Sequence, residues 1–141
     1  MATKKKTTKS KTTPKKTVKP KIKTAYVDGF VIPVPKNKVN EYRKIASGAC
    51  KVWMKYGALN YIEAVGDDLN AQFGLSFPKL VKPKKGETIF FSYITYKSKA
   101  HRDSVNKKVM KDPEIIASMN KKMPFDSKRM SYGGFKVLVS N

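Results

Sequence analysis

Residues 88–96 read TIFFSYITY. Every position but Ser92 is β-branched or aromatic, the composition that fits a pleated, buried surface. This is the strongest strand signal in the chain, and the other elements are read around it. Residues 25–34 (AYVDGFVIPV) have the same character and end against Pro33 and Pro35, which reads as a first strand. Residues 37–56 change to helical spacing: Val39, Tyr42, Ile45, Ala46, Ala49, Trp53 and Tyr56 fall on one stripe, with Asn37 expected as cap and Gly57 as stop. Residues 59–65 (LNYIEAV) alternate as a second strand, and residues 66–86, with three glycines and two prolines, read as a long loop. Ser98 is placed to cap a helix reaching about Lys111, and Asp112-Pro113 to start a shorter one ending near Asn120. Residues 123–130 read as irregular, and residues 132–139 (YGGFKVLV) as a fourth strand.

The expected order is β-α-β-β-α-β. That is a ferredoxin-like α+β fold, a four-stranded antiparallel sheet with helices on one face. Helices on one face call for strands that alternate apolar and polar residues. Phe30-Val31-Ile32, Ile89-Phe90-Phe91 and Val137-Leu138-Val139 do not alternate. Successive strand residues point to opposite faces, so the helix-free face is expected to be apolar too. The expectation is a homodimer paired sheet to sheet, with cover by the 66–86 loop or by the N-terminal arm as the alternative.

Charge divides the 141 residues in two. Ten of the 31 basic residues and none of the 10 acidic ones fall in residues 1–23, so residues 24–141 keep 21 basic against 10 acidic side chains. The first 23 residues are lysine, threonine, serine and proline with few aliphatics, too little apolar surface to offset an ordering cost of ~1–2 kcal/mol per residue. They read as a disordered arm, and residues 24–141 as one α+β domain. Thr12-Thr13-Pro14-Lys15-Lys16 resembles the arms of lysine-rich chromatin proteins. Lys4, Lys5, Lys6, Lys15 and Lys16 are the candidate contacts to nucleic acid or another polyanion, by phosphate neutralisation without base stacking.

No apolar run approaches the roughly 20 residues of a membrane span, and no secretory or mitochondrial leader pattern is read at the N-terminus. A cytoplasmic location without membrane contact is expected. A single cysteine, Cys50, excludes an internal disulfide and reads as a small buried hydrophobe. One Cys and one His do not make a zinc set, and no glycine-rich phosphate cradle or nucleophile elbow is present, so no metal and no cofactor are expected.

Two polar groupings are candidates for chemistry. One surrounds the single histidine: Lys97, Ser98, His101, Arg102 and Asp103, where His101 suits either a general base or a capping and surface role. The other is Glu63, Asp67 and Asp68, suited to a cation or an amine, or to turn geometry. Glu63 and His101 are the catalytic candidates of these two groupings.

AYVDGFVIPVP (25–35), YIEAVGDDLN (61–70), YKSKAHRDSVNKKVMKDP (96–113) and MPFDSKRMSYGGFKVLV (123–139) together resemble the YbaA-like family of bacterial domains of unknown function. The resemblance spans residues 24–140. It implies a dimeric α+β barrel of two ferredoxin-like units, brings no established activity, and does not extend to the lysine arm. Three functions follow as expectations: a homodimeric binding or housekeeping protein; a cofactor-free enzyme of monooxygenase or isomerase type, for which the resemblance to dimeric α+β barrels implies a pocket between helices and sheet, here bordered by Trp53, Tyr61, Tyr93 and Arg102; and a nucleic-acid-associated protein acting through the arm. If the arm carries nucleic-acid contact, deleting residues 1–23 weakens DNA or RNA binding in a filter or mobility assay and flattens its dependence on salt. Binding unchanged by the deletion removes the arm from that role.

Overall fold

The computed structural model describes residues 13–14 and 23–141. The arm at residues 1–23, with Lys4, Lys5, Lys6, Lys15 and Lys16, lies outside them save for its positions 13, 14 and 23. The chain is α+β. Its strands are β1 (Tyr26–Pro35), β2 (Asn60–Val65), β3 (Glu87–Tyr96) and β4 (Ser131–Lys136), and its helices are α1 (Val39–Lys55), α2 (Phe77–Val81), α3 (Lys99–Val109) and α4 (Pro113–Met119). The sheet is antiparallel throughout, in the order β2-β3-β1-β4.

The register assigns the faces. Glu63 pairs with Ser92, Ser92 with Phe30, and Phe30 with Tyr132, so these four point to one side. Tyr61, Ile94, Asp28 and Gly134 form the adjacent row on the same side. Helices α1 and α3 cover this face. Tyr42 of α1 stacks on Phe90 at 4.4 Å between ring centroids, and Arg102 of α3 reaches Asp28 at 2.7 Å. Two apolar clusters fill the space: Val52, Ile94, Tyr96, Val105 and Val109 at one end, and Ile32, Val34, Tyr42, Ala46 and Phe90 at the other.

Helix ends follow local rules. The Ser98 hydroxyl accepts from the His101 amide at 3.0 Å, and the Asp112 carboxylate from the Glu114 amide at 2.9 Å with Pro113 next in line. Asp112 also accepts from the Tyr56 hydroxyl at 2.8 Å and from Lys55 at 3.2 Å, which fastens the end of α1 to the start of α4. These donors, Tyr56 foremost, hold the Asp112 carboxyl below its ordinary pKa despite the opposing effect of burial. Gly57 ends α1 with φ of +106°, where a side chain would be strained.

Three expectations are corrected. A 3₁₀ turn over Lys36–Lys38 precedes α1, so the cap position falls on Lys38, without a side-chain cap bond, rather than on Asn37. The 66–86 segment is not wholly loop: Ser76 accepts from the Lys79 amide and starts α2, which ends at Lys82 in a left-handed conformation. The fourth strand stops at Lys136, and Leu138 and Val139 beyond it are 95% and 86% exposed, so that apolar triplet is not part of the sheet.

The helix-free face is apolar in the other two triplets, through Val31, Ile89 and Phe91. Phe77 of α2 leans on Phe91 at 6.3 Å between centroids, so the long segment covers part of it. Ile62, Phe91 and Phe135 on this face stay 40%, 46% and 62% exposed.

Gly133 and Gly134 play different roles. A Cβ on Gly133 would meet the Phe135 ring at ordinary contact distance, 3.6 Å, whereas one on Gly134 would collide with the Tyr26 ring. That ring carries the Arg102 guanidinium at 4.9 Å from its centroid. Gly133→Ala is therefore expected to melt at or slightly above the parent, since alanine within a strand is favoured over glycine by roughly 0.5–1 kcal/mol. Gly134→Ala displaces Tyr26 and costs about 1–3 kcal/mol. Equal melting points for the two variants would contradict the packing.

Candidate functional site

A polar residue on the buried face of a strand is costly unless it has partners. Three on the covered face stand together: Asp28 on β1, Glu63 on β2 and Ser92 on β3. They line a cavity of about 420 Å³ between the sheet, α1, α3 and residues 123–130. That volume lies in the range of small-molecule sites, roughly 300–1,000 Å³. Its walls are otherwise largely aromatic and aliphatic, among them Phe30, Trp53, Phe125 and Met130.

Glu63 sits in a cradle of hydroxyls. Tyr42 donates to Oε2 at 2.8 Å, Tyr61 to Oε1 at 2.9 Å, and Ser92 to Oε2. Burial first, and then the charge of Glu63, push the Tyr42 and Tyr61 phenols far above their ordinary pKa, so both remain donors. Three of the roughly four lone-pair directions of the carboxylate are thereby used. Among the described residues no lysine, arginine or histidine forms an ion pair with it. Behind the cradle a second cleft of about 490 Å³ separates α1 from β2, bordered by Cys50, Arg43 and Lys51, so the cradle is a wall shared by two spaces. Arg43 is engaged by Asn40 at 3.1 Å.

The second network runs from α1 through α3 to β1. The Trp53 indole N–H donates to Asn106 Oδ1 at 3.1 Å, and the Tyr96 hydroxyl reaches the same oxygen at 3.3 Å. Arg102 pairs with Asp28 and, through Nε, with Asp103, both at 2.7 Å. Asp28 is only 5% exposed. Burial raises its pKa above the ordinary value, against the opposing pull of Arg102, while Asp28 and Asp103 keep the guanidinium charged against its own desolvation.

The expected site residues separate cleanly. Trp53, Tyr61, Glu63 and Arg102 come together around the cavity. Tyr93 does not: it pairs with Gly29 and Ile62, lies on the opposite face and packs against Phe91 at 6.2 Å. His101 is also outside the cavity lining. Its Nδ1 accepts from the Lys97 amide at 3.0 Å and its ring meets Tyr96 edge-on at 5.9 Å, so it bolts the start of α3 to the end of β3. Asp67 and Asp68 are exposed and do not join Glu63. No cluster of three metal-ligating side chains occurs among the described residues. Cys50 is free and partly buried, and no helix among the described residues is long and apolar enough to cross a membrane. The residues that sequence reasoning missed are Asp28, Tyr42, Ser92 and Asn106. The signal for two of them was there: Asp28 precedes Phe30 and Ile32, and Ser92 sits between Phe90 and Ile94, each in step with the apolar face of its strand.

Residues 25–127 match the family described as "Protein of unknown function (DUF1428)". The chain belongs to that family. It is 40% identical over 114 residues to "Uncharacterized protein YbaA" of Escherichia coli strain K12, covering 81% of this chain and 97% of that protein, and equally so to the protein of the same name from Shigella flexneri. Among solved structures, the de novo designed protein Foldit4 aligns over 82% of this chain and 98% of its own, at 11% identity and a TM-score of 0.40, a likeness too slight to carry an argument. The family match ends before β4, while Glu63, Ser92, Asp28, Arg102 and Asn106 all fall inside it.

Two outcomes test this description. Asn106→Ala leaves the Trp53 N–H and the Tyr96 hydroxyl without their acceptor, so a loss of about 1–3 kcal/mol is expected in denaturant unfolding, with a shift in Trp53 emission. For His101, burial foremost, then Lys97 and Lys108, hold the ring below its ordinary value of 6.5. A depressed folded-state value favours the neutral ring, so its contribution is complete above 6.5 and is lost as pH falls through the depressed value. The difference in melting temperature between the parent and His101→Gln is expected to shrink between pH 7.5 and 5, and a constant difference would contradict it.

Proposed function

We propose that residues 24–141 form a small-molecule-binding protein that works as a cytoplasmic homodimer: two ferredoxin-like units paired by their open sheet faces into a dimeric α+β barrel, each with its own cavity on the covered face. The observation that carries this reading is the hydroxyl cradle around Glu63. Tyr61, Glu63 and Ser92 stand on the sheet face that the core needs apolar, Tyr42 reaches them from α1, and all four border an open cavity. Such a grouping is expensive for folding and useful for positioning a ligand. The family and the Escherichia coli relative bring no activity to set against it.

Binding is favoured over catalysis because the two candidate catalytic groups are already engaged. His101 is held by backbone and stands away from the cavity, and Glu63 has three donors. The dimer is supported by Ile62, Phe91 and Phe135, which leave aromatic and aliphatic surface on the helix-free face, and by exposed Phe73, Leu75 and Leu80 in the segment that leans on it. A large exposed apolar surface of this kind is characteristic of an interface. The dimer places cavity and interface on opposite sides of one sheet, so they are separable. In sedimentation velocity at micromolar concentration, a species of twice 15.9 kDa is expected for the parent. Phe91→Lys is expected to give the monomer with its circular dichroism retained. A parent that sediments only as a monomer refutes the pairing.

A further inference from the structure

The cavity's charge is opposite in sign to that of the protein around it. The chain has a net charge of +21, yet among the described residues no lysine lines this space. Its charged groups are the carboxylates of Asp28 and Glu63 and the guanidinium of Arg102, and burial pushes the Tyr42 and Tyr61 phenols beside them upward in pKa. Arg102 is already matched by Asp28 and by Asp103. Among the described residues that leaves Glu63 as the carboxylate of the cavity without a cationic partner, partly buried beside largely apolar walls. Arg43 and Lys51 border the cleft behind it but form no ion pair with it. The hydroxyls hold the carboxylate in place and leave it about one free lone-pair direction.

Aromatic side chains surround this charge. The Tyr42 and Tyr61 hydroxyls converge on Glu63. Trp53 stands 6.1 Å from Tyr61 and Phe125 5.7 Å from Tyr42, centroid to centroid, and Phe30 stacks with Tyr132 at 6.0 Å. Ring faces carry negative potential and attract cations, most strongly where water is displaced.

We propose that the cavity takes a small organic cation, an amine with an aromatic or branched apolar body, whose ammonium pairs with Glu63 while its body lies against Phe30, Trp53 and Met130. This rests on the reading of the cavity as a binding site and adds the ligand's class. An anion finds its one cation already holding two carboxylates, and a neutral ligand leaves Glu63 uncompensated.

Trp53 is the only tryptophan of the sequence and lines the cavity, so its fluorescence reports on this space. The full chain is titrated with 2-phenylethylamine, 2-phenylethanol and 3-phenylpropionate, which share a body and differ in head group. The amine is expected to bind at least about tenfold tighter than either of the others, ~1.4 kcal/mol, and Glu63→Gln is expected to abolish that preference. An alcohol or carboxylate that binds as well as the amine overturns the cation and leaves the cavity as a binding site. A preference that survives in Glu63→Gln overturns the role of Glu63. If none of the three binds at millimolar concentration, the binding reading falls with it. Should Glu63→Gln fail to fold, the ranking on the parent chain decides alone.

Discussion

Ten consecutive residues of β1 pair with ten of β3, from Tyr26 opposite Tyr96 to Pro35 opposite Glu87. This register is the constraint on which the rest depends. It puts Asp28, Phe30 and Ile32 on the same side as Phe90, Ser92 and Ile94, and β2 adds Tyr61 and Glu63 to that side. A slip of one residue would put the two strands out of step: with Asp28 and Phe30 still under the helices, Ser92 would turn outward and Phe91 and Tyr93 inward. The two apolar clusters and the bond from Arg102 to Asp28 all presuppose the observed pairing.

What was legible in the sequence is what depends on near neighbours. The strands of residues 26–35, 60–65 and 87–96, the caps at Ser98 and Asp112, and the stop at Gly57 each follow from a few adjacent residues. Helix α2 went unread because its five residues sit among prolines and glycines and are too few to show a period. Val137-Leu138-Val139 has strand composition, but β1 offers a pairing partner for β4 only from Tyr26 to Val31, and the last apolar residues pass beyond it. Composition is a local property, whereas pairing requires a neighbour.

The site was half legible for a related reason. Tyr61, Glu63, Trp53 and Arg102 were chosen for their chemistry and meet around one cavity. Tyr93 was expected at the pocket, and the parity of the strand excludes it: the Ser92 hydroxyl beside it faces Glu63 and the Tyr93 ring faces away. His101 has suitable chemistry and no cavity, because the turn that Ser98 caps directs its ring back to the Lys97 amide. Tyr42 and Asn106 were read as helix positions, and only the tertiary arrangement makes one a donor to Glu63 and the other an acceptor for Trp53 and Tyr96.

The account holds that the cradle around Glu63 serves a ligand and that the fold does not need it. Replacing all members of a buried polar network by apolar groups of like shape is neutral or stabilising when the network is not structural. The direct measurement is the denaturant midpoint of the combined variant Tyr42→Phe, Tyr61→Phe, Glu63→Leu and Ser92→Ala. The account predicts a variant at least as stable as the parent. A loss of about 3 kcal/mol or more would show that the network holds the fold together and would contradict it.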